Sequence, residues 1–135
     1  MKILNVLVMM WIVFTACSSK EKTECYTSLD GKNDVELKLV ISGNHVAGDM
    51  DYHLEGKDLN SGVVDGEFLG DTLKLIYRFE SEGVESEREI LFLKQEGKLA
   101  EGYGPMEQEG GNMVFTDWEA VEFGKGIILK KEDCK

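Results

Sequence analysis

The sequence predicts an all-β domain, an antiparallel up-and-down meander closed into a small barrel of about eight strands. Apolar and polar residues alternate through much of the chain, as they do around Val35, Leu37 and Leu39. This period of two is typical of strands with one buried face. Turn signals containing glycine recur about every 11 to 14 residues. Pro105 is the only proline, so little interrupts the strands.

The turns and the alternation place the strands in order, because glycine supplies the positive φ that tight hairpin turns need. The predicted turns are Asp30-Gly31, Gly43-Asn44, a longer loop at residues 56–62, Gly70-Asp71, Glu82-Gly83, Glu96-Gly97 and Gly110-Gly111. Nine candidate strands result, at about residues 25–28, 35–41, 46–54, 64–68, 73–79, 84–92, 99–103, 113–118 and 127–131.

Residues 1–16 form an apolar segment with one charged residue, Lys2. The segment is shorter than the roughly 20 apolar residues that cross a bilayer, which favours a signal peptide over a membrane anchor. Residues 14–17 (Phe-Thr-Ala-Cys) resemble the lipobox of bacterial lipoproteins, whose cysteine is lipidated and becomes the new N-terminus. Phe14 stands where Leu, Val or Ile is usual, and an ordinary signal peptide is the alternative.

This interpretation divides the chain into three parts. Residues 1–16 are the signal peptide, residues 17–24 are the lipidated Cys17 with a polar tether, and residues 25–135 are the barrel domain. Acyl chains would provide the membrane link, and two or more of them make a stable anchor. By the same resemblance, Ser18 is compatible with the outer membrane of a Gram-negative bacterium, on its periplasmic or its surface side.

The three cysteines have two expected roles. With Cys17 taken by lipid, Cys25 and Cys134 remain near opposite ends of the exported chain. Outside the cytosol such a pair is expected to form a disulfide, with two free thiols as the alternative. The bond would close a loop of about 110 residues.

The cysteine pair also bears on barrel closure. A long open meander leaves two unpaired edges, which closure removes. In a closed meander the first and last strands meet at one end only if the strand count is even, so the nine candidates are one too many. Either residues 25–28 are barely a strand, or residues 116–126 form an excursion with a short helical turn. A two-sheet sandwich is the alternative fold.

The residues expected inside the barrel are mostly large, which predicts a filled interior with at most a shallow mouth. Glycines within the strand pattern are expected to permit sharp coiling, with close approach to a ligand as the alternative. These glycines are Gly48, Gly66 and Gly102; the large residues are Leu37, Leu39, Met50, Tyr52, Phe68, Leu75, Tyr77 and Phe79.

The net charge of the chain is −11, and removal of Lys2 with the signal peptide makes it −12. Such an acidic body repels nucleic acid, which we do not expect as a partner. It also argues against the domain lying flat on an anionic membrane. The acidic hairpin of residues 80–89 suggests a basic protein partner instead, although a solvated turn explains it as well.

Arg88 is the most informative polar residue, since the alternation places it with Ser86 on the inward face of its strand. A two-residue turn at Glu96-Gly97 would set Phe92 opposite Glu101. Glu101 is then the expected ion-pair partner of Arg88, because a buried charge must be paired. The predicted ligand-binding residues at the barrel mouth are Arg88, Glu101, Tyr103, Tyr77 and Ser86, recognising a carboxylate or polar head group; a purely structural salt bridge is the alternative.

No motif predicts catalysis. The chain has no nucleophile elbow, no phosphate-binding loop and no Cys-x-x-Cys pair. His45, Asp49, Asp51 and His53 share one strand face and are interpreted as an outer polar stripe rather than a metal site. We therefore expect no enzyme activity, no cofactor and no metal.

Residues 79–93, the sequence Glu101-Gly102-Tyr103-Gly104 and residues 130–134 look like a widespread type of small, uncharacterised envelope lipoprotein. The resemblance implies a compact lipid-anchored β domain and supplies no catalytic residues. The expected architecture is similar to lipocalin-like barrels and, more loosely, to lipid-anchored lysozyme inhibitors. We thus expect a non-catalytic barrel that binds a small apolar or amphipathic molecule, with an interaction or structural envelope protein as the alternative.

Overall fold

The structure, a computed structural model, describes residues 16–57 and 59–135. Residues 1–15 of the predicted signal peptide, including Phe14 and Thr15 of its lipobox, and Asp58 lie outside the described residues. No helix within those two ranges is long and apolar enough to cross a membrane. The described chain forms β1 (Lys22–Ser28), β2 (Asp34–Ser42), β3 (His45–His53), β4 (Leu59–Leu69), β5 (Thr72–Ser81), β6 (Val84–Gln95), β7 (Lys98–Tyr103), β8 (Met106–Glu109), β9 (Asn112–Phe115), a 3₁₀ turn (Trp118–Ala120) and β10 (Glu122–Glu132).

Eight of these strands close into one antiparallel barrel. Strands β1 to β7 pair in chain order, β7 pairs with β10, and β10 returns to β1. This confirms the predicted up-and-down barrel, so the sandwich alternative is wrong. The even number of strands brings the start of β1 and the end of β10 to the same end of the barrel.

The remaining strands, β8 and β9, pair with each other outside the barrel. Together with the 3₁₀ turn they form the excursion that the odd number of candidate strands indicated. It lies between β7 and β10, earlier than the predicted residues 116–126, and only the helical turn falls where we expected it. β9 runs parallel to β6 and pairs with it at Glu87 and Arg88. β1 is a full strand and begins at Lys22, three residues before the predicted domain boundary.

The turns are as tight as the glycines predicted. Glu96 and Gly97 both have positive φ, 49° and 74°, so the turn has two residues and Phe92 lies opposite Glu101, as expected. The loop predicted at residues 56–62 is shorter, because β4 begins at Leu59.

The barrel interior is packed from β1 to β10 by one apolar cluster that includes Leu37, Met50, Leu75 and Phe92. Gly48 and Gly66 allow neighbouring strands to approach closely. A Cβ on Gly48 would lie 1.8 Å from the carbonyl oxygen of Lys38. Gly102 instead faces outward, against Val121 and Phe123.

A second, smaller core lies outside the barrel, under the excursion. Leu91 of β6 packs there with Phe115 and Val121. Glu89, expected on a solvated face, is buried beneath it and accepts a hydrogen bond from the Phe115 N–H at 3.0 Å. The excursion is therefore fastened to the barrel wall by apolar packing and a buried carboxylate.

Cys25 and Cys134 form the predicted disulfide, with their Cα atoms 5.2 Å apart, and Cys17 is exposed with a free thiol. We call the end of the barrel that carries Lys22, the last residues of the chain and the turns Gly43-Asn44, Gly70-Asp71 and Glu96-Gly97 the lysine end. The opposite end carries residues 29–33, 54–57 and 82–83 together with the excursion, and we call it the open end.

Candidate ligand-binding site

The open end contains a cavity of about 160 Å³. Its walls come from six strands and one loop, so it is a mouth of the barrel rather than a surface groove. Its lining residues are Tyr52, Leu54, Asn60, Tyr77, Phe79, Arg88, Glu101, Tyr103 and Ile127.

The excursion explains why the cavity lies here. β6 and β7 pair only from Phe92–Glu101 to Gln95–Lys98, because the chain leaves β7 after Tyr103 and enters the excursion. The first half of β6 therefore has no β7 neighbour, and β9 pairs with it at only two positions. Arg88 lies in this first half, opposite Tyr77 of β5.

An aromatic wall forms one side of the cavity. The rings of Tyr77 and Phe79 stack with their centroids 4.8 Å apart, and Tyr52 meets Tyr77 edge-on at 5.5 Å. The Tyr77 hydroxyl donates to the Asn60 carbonyl oxygen at 3.0 Å. Burial, with the nearby charge of Asp51, raises the pKa of Tyr77 to about 12, so the wall stays uncharged at physiological pH.

Glu101 is the buried polar group of the cavity, with 4% of its surface exposed. Its carboxylate accepts hydrogen bonds from the hydroxyls of Tyr52, at 3.2 Å, and Tyr103, at 3.4 Å. Burial raises the pKa of Glu101, although the charge of Arg88 and the two hydroxyl groups act in the opposite direction. The two tyrosines thus satisfy the acid that we expected Arg88 to neutralise.

The predicted ion pair between Arg88 and Glu101 is wrong. Arg88 is exposed, and among the described residues no carboxylate oxygen lies within 4.0 Å of its guanidinium nitrogens. The register is the expected one, with Glu101 opposite Phe92, but the hydroxyl groups of Tyr52 and Tyr103 occupy the Glu101 carboxylate in place of Arg88. The Arg88 charge therefore faces the cavity and solvent, where a ligand can reach it.

Four of the five predicted site residues meet at this cavity. They are Arg88, Glu101, Tyr103 and Tyr77. Ser86 pairs with Phe79, two residues nearer the turn than Arg88, and is not among the residues that line the cavity. Prediction from sequence missed Tyr52 and Phe79 as site residues, although the alternation had already placed both on the inward face.

The outer polar stripe gives no metal site in the described part of the chain, where no group of three or more His, Cys, Asp or Glu residues could hold an ion. His45 lies 3.4 Å from an oxygen of Asp65, and both side chains are largely exposed.

A second polar cluster, missed by sequence analysis, lies at the lysine end. Glu24 is buried, with ammonium groups around its carboxylate from Lys22 at 2.6 Å, Lys131 at 3.0 Å and Lys94 at 3.6 Å. The Tyr26 hydroxyl donates to it at 2.5 Å. Burial acts to raise the pKa of Glu24, but the hydrogen bonds and the lysine charges outweigh it and lower the pKa to about 2.

We expect Glu24→Gln to lower the free energy of unfolding by about 2 kcal/mol at pH 7. The pKa falls from 4.5 to about 2 on folding, and each unit corresponds to about 1.4 kcal/mol, reduced here because the lysines are partly exposed and screened. Because the folded pKa is depressed, this stability is present above pH 4.5 and is lost as the pH falls toward 2. Urea denaturation at pH 7 and pH 3 measures it, with exposed Glu36→Gln as control; equal losses in both variants would contradict the assignment.

The candidate site is thus a small, largely apolar mouth with a neutral aromatic wall, a buried acid and one accessible guanidinium. Comparison with protein-family models, curated proteins and solved structures finds no match to this chain.

Proposed function

We propose that this chain is a lipid-anchored protein of the bacterial cell envelope whose barrel binds a small ligand without converting it. The observation that carries the proposal is the cavity at the open end, where apolar walls converge with Arg88 and Glu101. Cavities that combine apolar walls with a few placed polar groups are typical of ligand sites. Residues 14–17 and the exposed thiol of Cys17 support the lipid anchor.

The size of the cavity limits the ligand. Its volume of about 160 Å³ is close to that of an engineered cavity of roughly 150 Å³ that holds benzene. The stacked rings of Tyr77 and Phe79 offer an aromatic surface to such a group. Arg88 at the edge can form a paired hydrogen bond with a carboxylate. The ligand we propose is a small carboxylic acid with one aromatic ring or a short branched alkyl chain.

The residue types around the cavity favour binding over catalysis. The described lining residues include no histidine, cysteine or serine, so they offer no activated nucleophile of the usual kind. Glu101 is held by two tyrosine hydroxyls, which suits a fixed structural acid rather than a proton donor to substrate.

We expect Arg88→Gln to weaken the binding of benzoate about tenfold to a hundredfold, because hydrogen bonds to charged groups contribute about 1.5–3 kcal/mol each. Isothermal titration calorimetry with benzoate measures this. Arg78→Gln is the matched control, since Arg78 is the other arginine of the chain and pairs outside the barrel with Glu87 at 2.7 Å. Equal affinities in the wild type and both variants would exclude Arg88 from ligand binding.

The affinity for an anionic ligand is expected to rise about fivefold as the pH falls through the raised pKa of Glu101. Protonation of Glu101 removes a negative charge beside the site, and its raised pKa brings this change closer to neutral pH. Benzenesulfonate, which stays ionised over this range, is the suitable probe. Glu101→Gln should hold the affinity at its low-pH level throughout; a variant that keeps the wild-type pH dependence would contradict this role.

Native mass spectrometry of the protein purified from its host tests the proposal most directly. A co-purifying small acid that is lost in Arg88→Gln would support it. A protein bound through the acidic hairpin of residues 80–89, which is largely exposed at the same end, would support the interaction-protein alternative. The absence of both benzoate binding and a co-purifying small molecule would contradict the ligand-binding function.

A further inference from the structure

The charge of this acidic protein is unevenly distributed along the barrel. The segments that form the lysine end, residues 17–24, 40–46, 67–74, 93–99 and 129–135, contain eight lysines and seven acidic residues, a net charge of +1. The rest of the chain from Cys17 onward contains six basic and 19 acidic residues, a net charge of −13. The net negative charge of the protein therefore lies along the barrel wall and at the open end.

The lysines at this end are held in place rather than scattered. Lys22, Lys94 and Lys131 converge on one buried carboxylate, that of Glu24. Their side chains are nevertheless 65%, 37% and 43% exposed. Each ammonium group has three donors, so three of them around one carboxylate leave several N–H groups directed outward. The cluster keeps a net charge of +2, because Glu24 stays ionised.

The point of chain attachment lies beside the same cluster. Cys17 and Lys22 are five positions apart, and the chain between them spans at most about 17 Å. Part of this segment contacts the barrel end, where the hydroxyl groups of Ser19 and Ser42 are 2.9 Å apart. A chain held at Cys17 thus brings the lysine end, and not the open end, close to whatever holds it.

We propose that the lysine end is the face that the protein turns toward an anionic phospholipid surface, with its ammonium groups on lipid phosphates and the open end directed away from the membrane. Lysines near an anionic surface each shift the equilibrium about fivefold, while the acidic remainder is repelled from the same surface. Both effects favour one upright orientation. The inference uses Cys17 as a point of attachment and holds whether or not the cavity binds a ligand.

Cys17 provides the means of testing this, because it is the one free thiol of the chain when Cys25 and Cys134 are joined. The full chain is coupled through Cys17 to maleimide-lipid vesicles of phosphatidylcholine, with or without phosphatidylglycerol. Hydrogen exchange then reports on each end. Phosphatidylglycerol should slow exchange about fivefold at the turns Gly43-Asn44 and Gly70-Asp71, without changing exchange at Glu82-Gly83 of the open end.

Two charge-reversal variants with the same net charge separate orientation from general repulsion. Lys98→Glu with Lys130→Glu changes exposed lysines that face each other across β7 and β10 at the lysine end and do not contact Glu24. Lys32→Glu with Lys57→Glu changes exposed lysines in loops of the open end. The first pair should abolish the protection and the second should leave it intact. Protection at both ends, protection without phosphatidylglycerol, or equal effects of the two pairs would overturn the proposal.

Discussion

Replacing Cys25 and Cys134 together with serine is expected to lower the free energy of unfolding by about 3 to 4 kcal/mol. The two residues are 109 positions apart, so the bond closes a long loop and lowers the conformational entropy of the unfolded chain. The chain-entropy model gives about 4.7 kcal/mol for a loop of this size, and measured values tend to be smaller. The bond also joins β1 to the chain that follows β10, where only four residue pairs close the barrel.

Urea denaturation of the wild type and the double variant under oxidising conditions measures this effect. Cys17→Ser is the control, since Cys17 is exposed and its thiol is free; it should leave stability unchanged. Adding a reductant to the wild type should reproduce the loss. A double variant as stable as the oxidised wild type would show that the barrel closes equally well without the bond.

Gly48→Ala is expected to destabilise the protein by about 3 kcal/mol or more, as severe overpacking does. The added Cβ would lie 1.8 Å from the carbonyl oxygen of Lys38, and this oxygen belongs to the backbone of β2, which cannot rotate away. β2 and β3 would have to separate along part of their ladder. Gly66 has the same geometry against Lys74, at 1.9 Å.

Thermal and urea denaturation of Gly48→Ala test the close approach. Gly111→Ala is the matched control, because a Cβ there meets nothing within 4 Å and its φ is not positive. We expect the control to change stability by less than about 0.5 kcal/mol. Similar results for the two variants would mean that β2 and β3 can move apart at little cost.

The fold was predictable because two independent signals agree along most of the chain. Alternation placed residues such as Leu37 and Leu75 inside, and glycine turns fixed the register that sets Phe92 opposite Glu101. The excursion was harder to place. β8 and β9 are four residues each, too short for a clear period of two, and their packing on Leu91 depends on contacts that local sequence does not encode.

The location of the candidate site was predictable from the sequence, but the contacts between its side chains were not. Register alone brings Arg88, Glu101 and Tyr103 to one mouth. It does not indicate that tyrosine hydroxyls, rather than Arg88, satisfy Glu101. The cluster around Glu24 was missed for a related reason. Its lysines come from β1, β6 and β10, and each is indistinguishable in sequence from a solvated surface lysine.

The short ladder between β6 and β7 has a consequence for how a ligand could come and go. β5 and β6 share ten residue pairs, whereas β6 and β7 share four. The ladder between β1 and β10 is equally short, but the disulfide joins the two sides covalently. Separation of neighbouring strands is therefore expected to need the least free energy between β6 and β7, beside Glu101. We therefore expect the barrel wall to open most easily at the cavity, so that the cavity widens sideways while the other ladders stay paired.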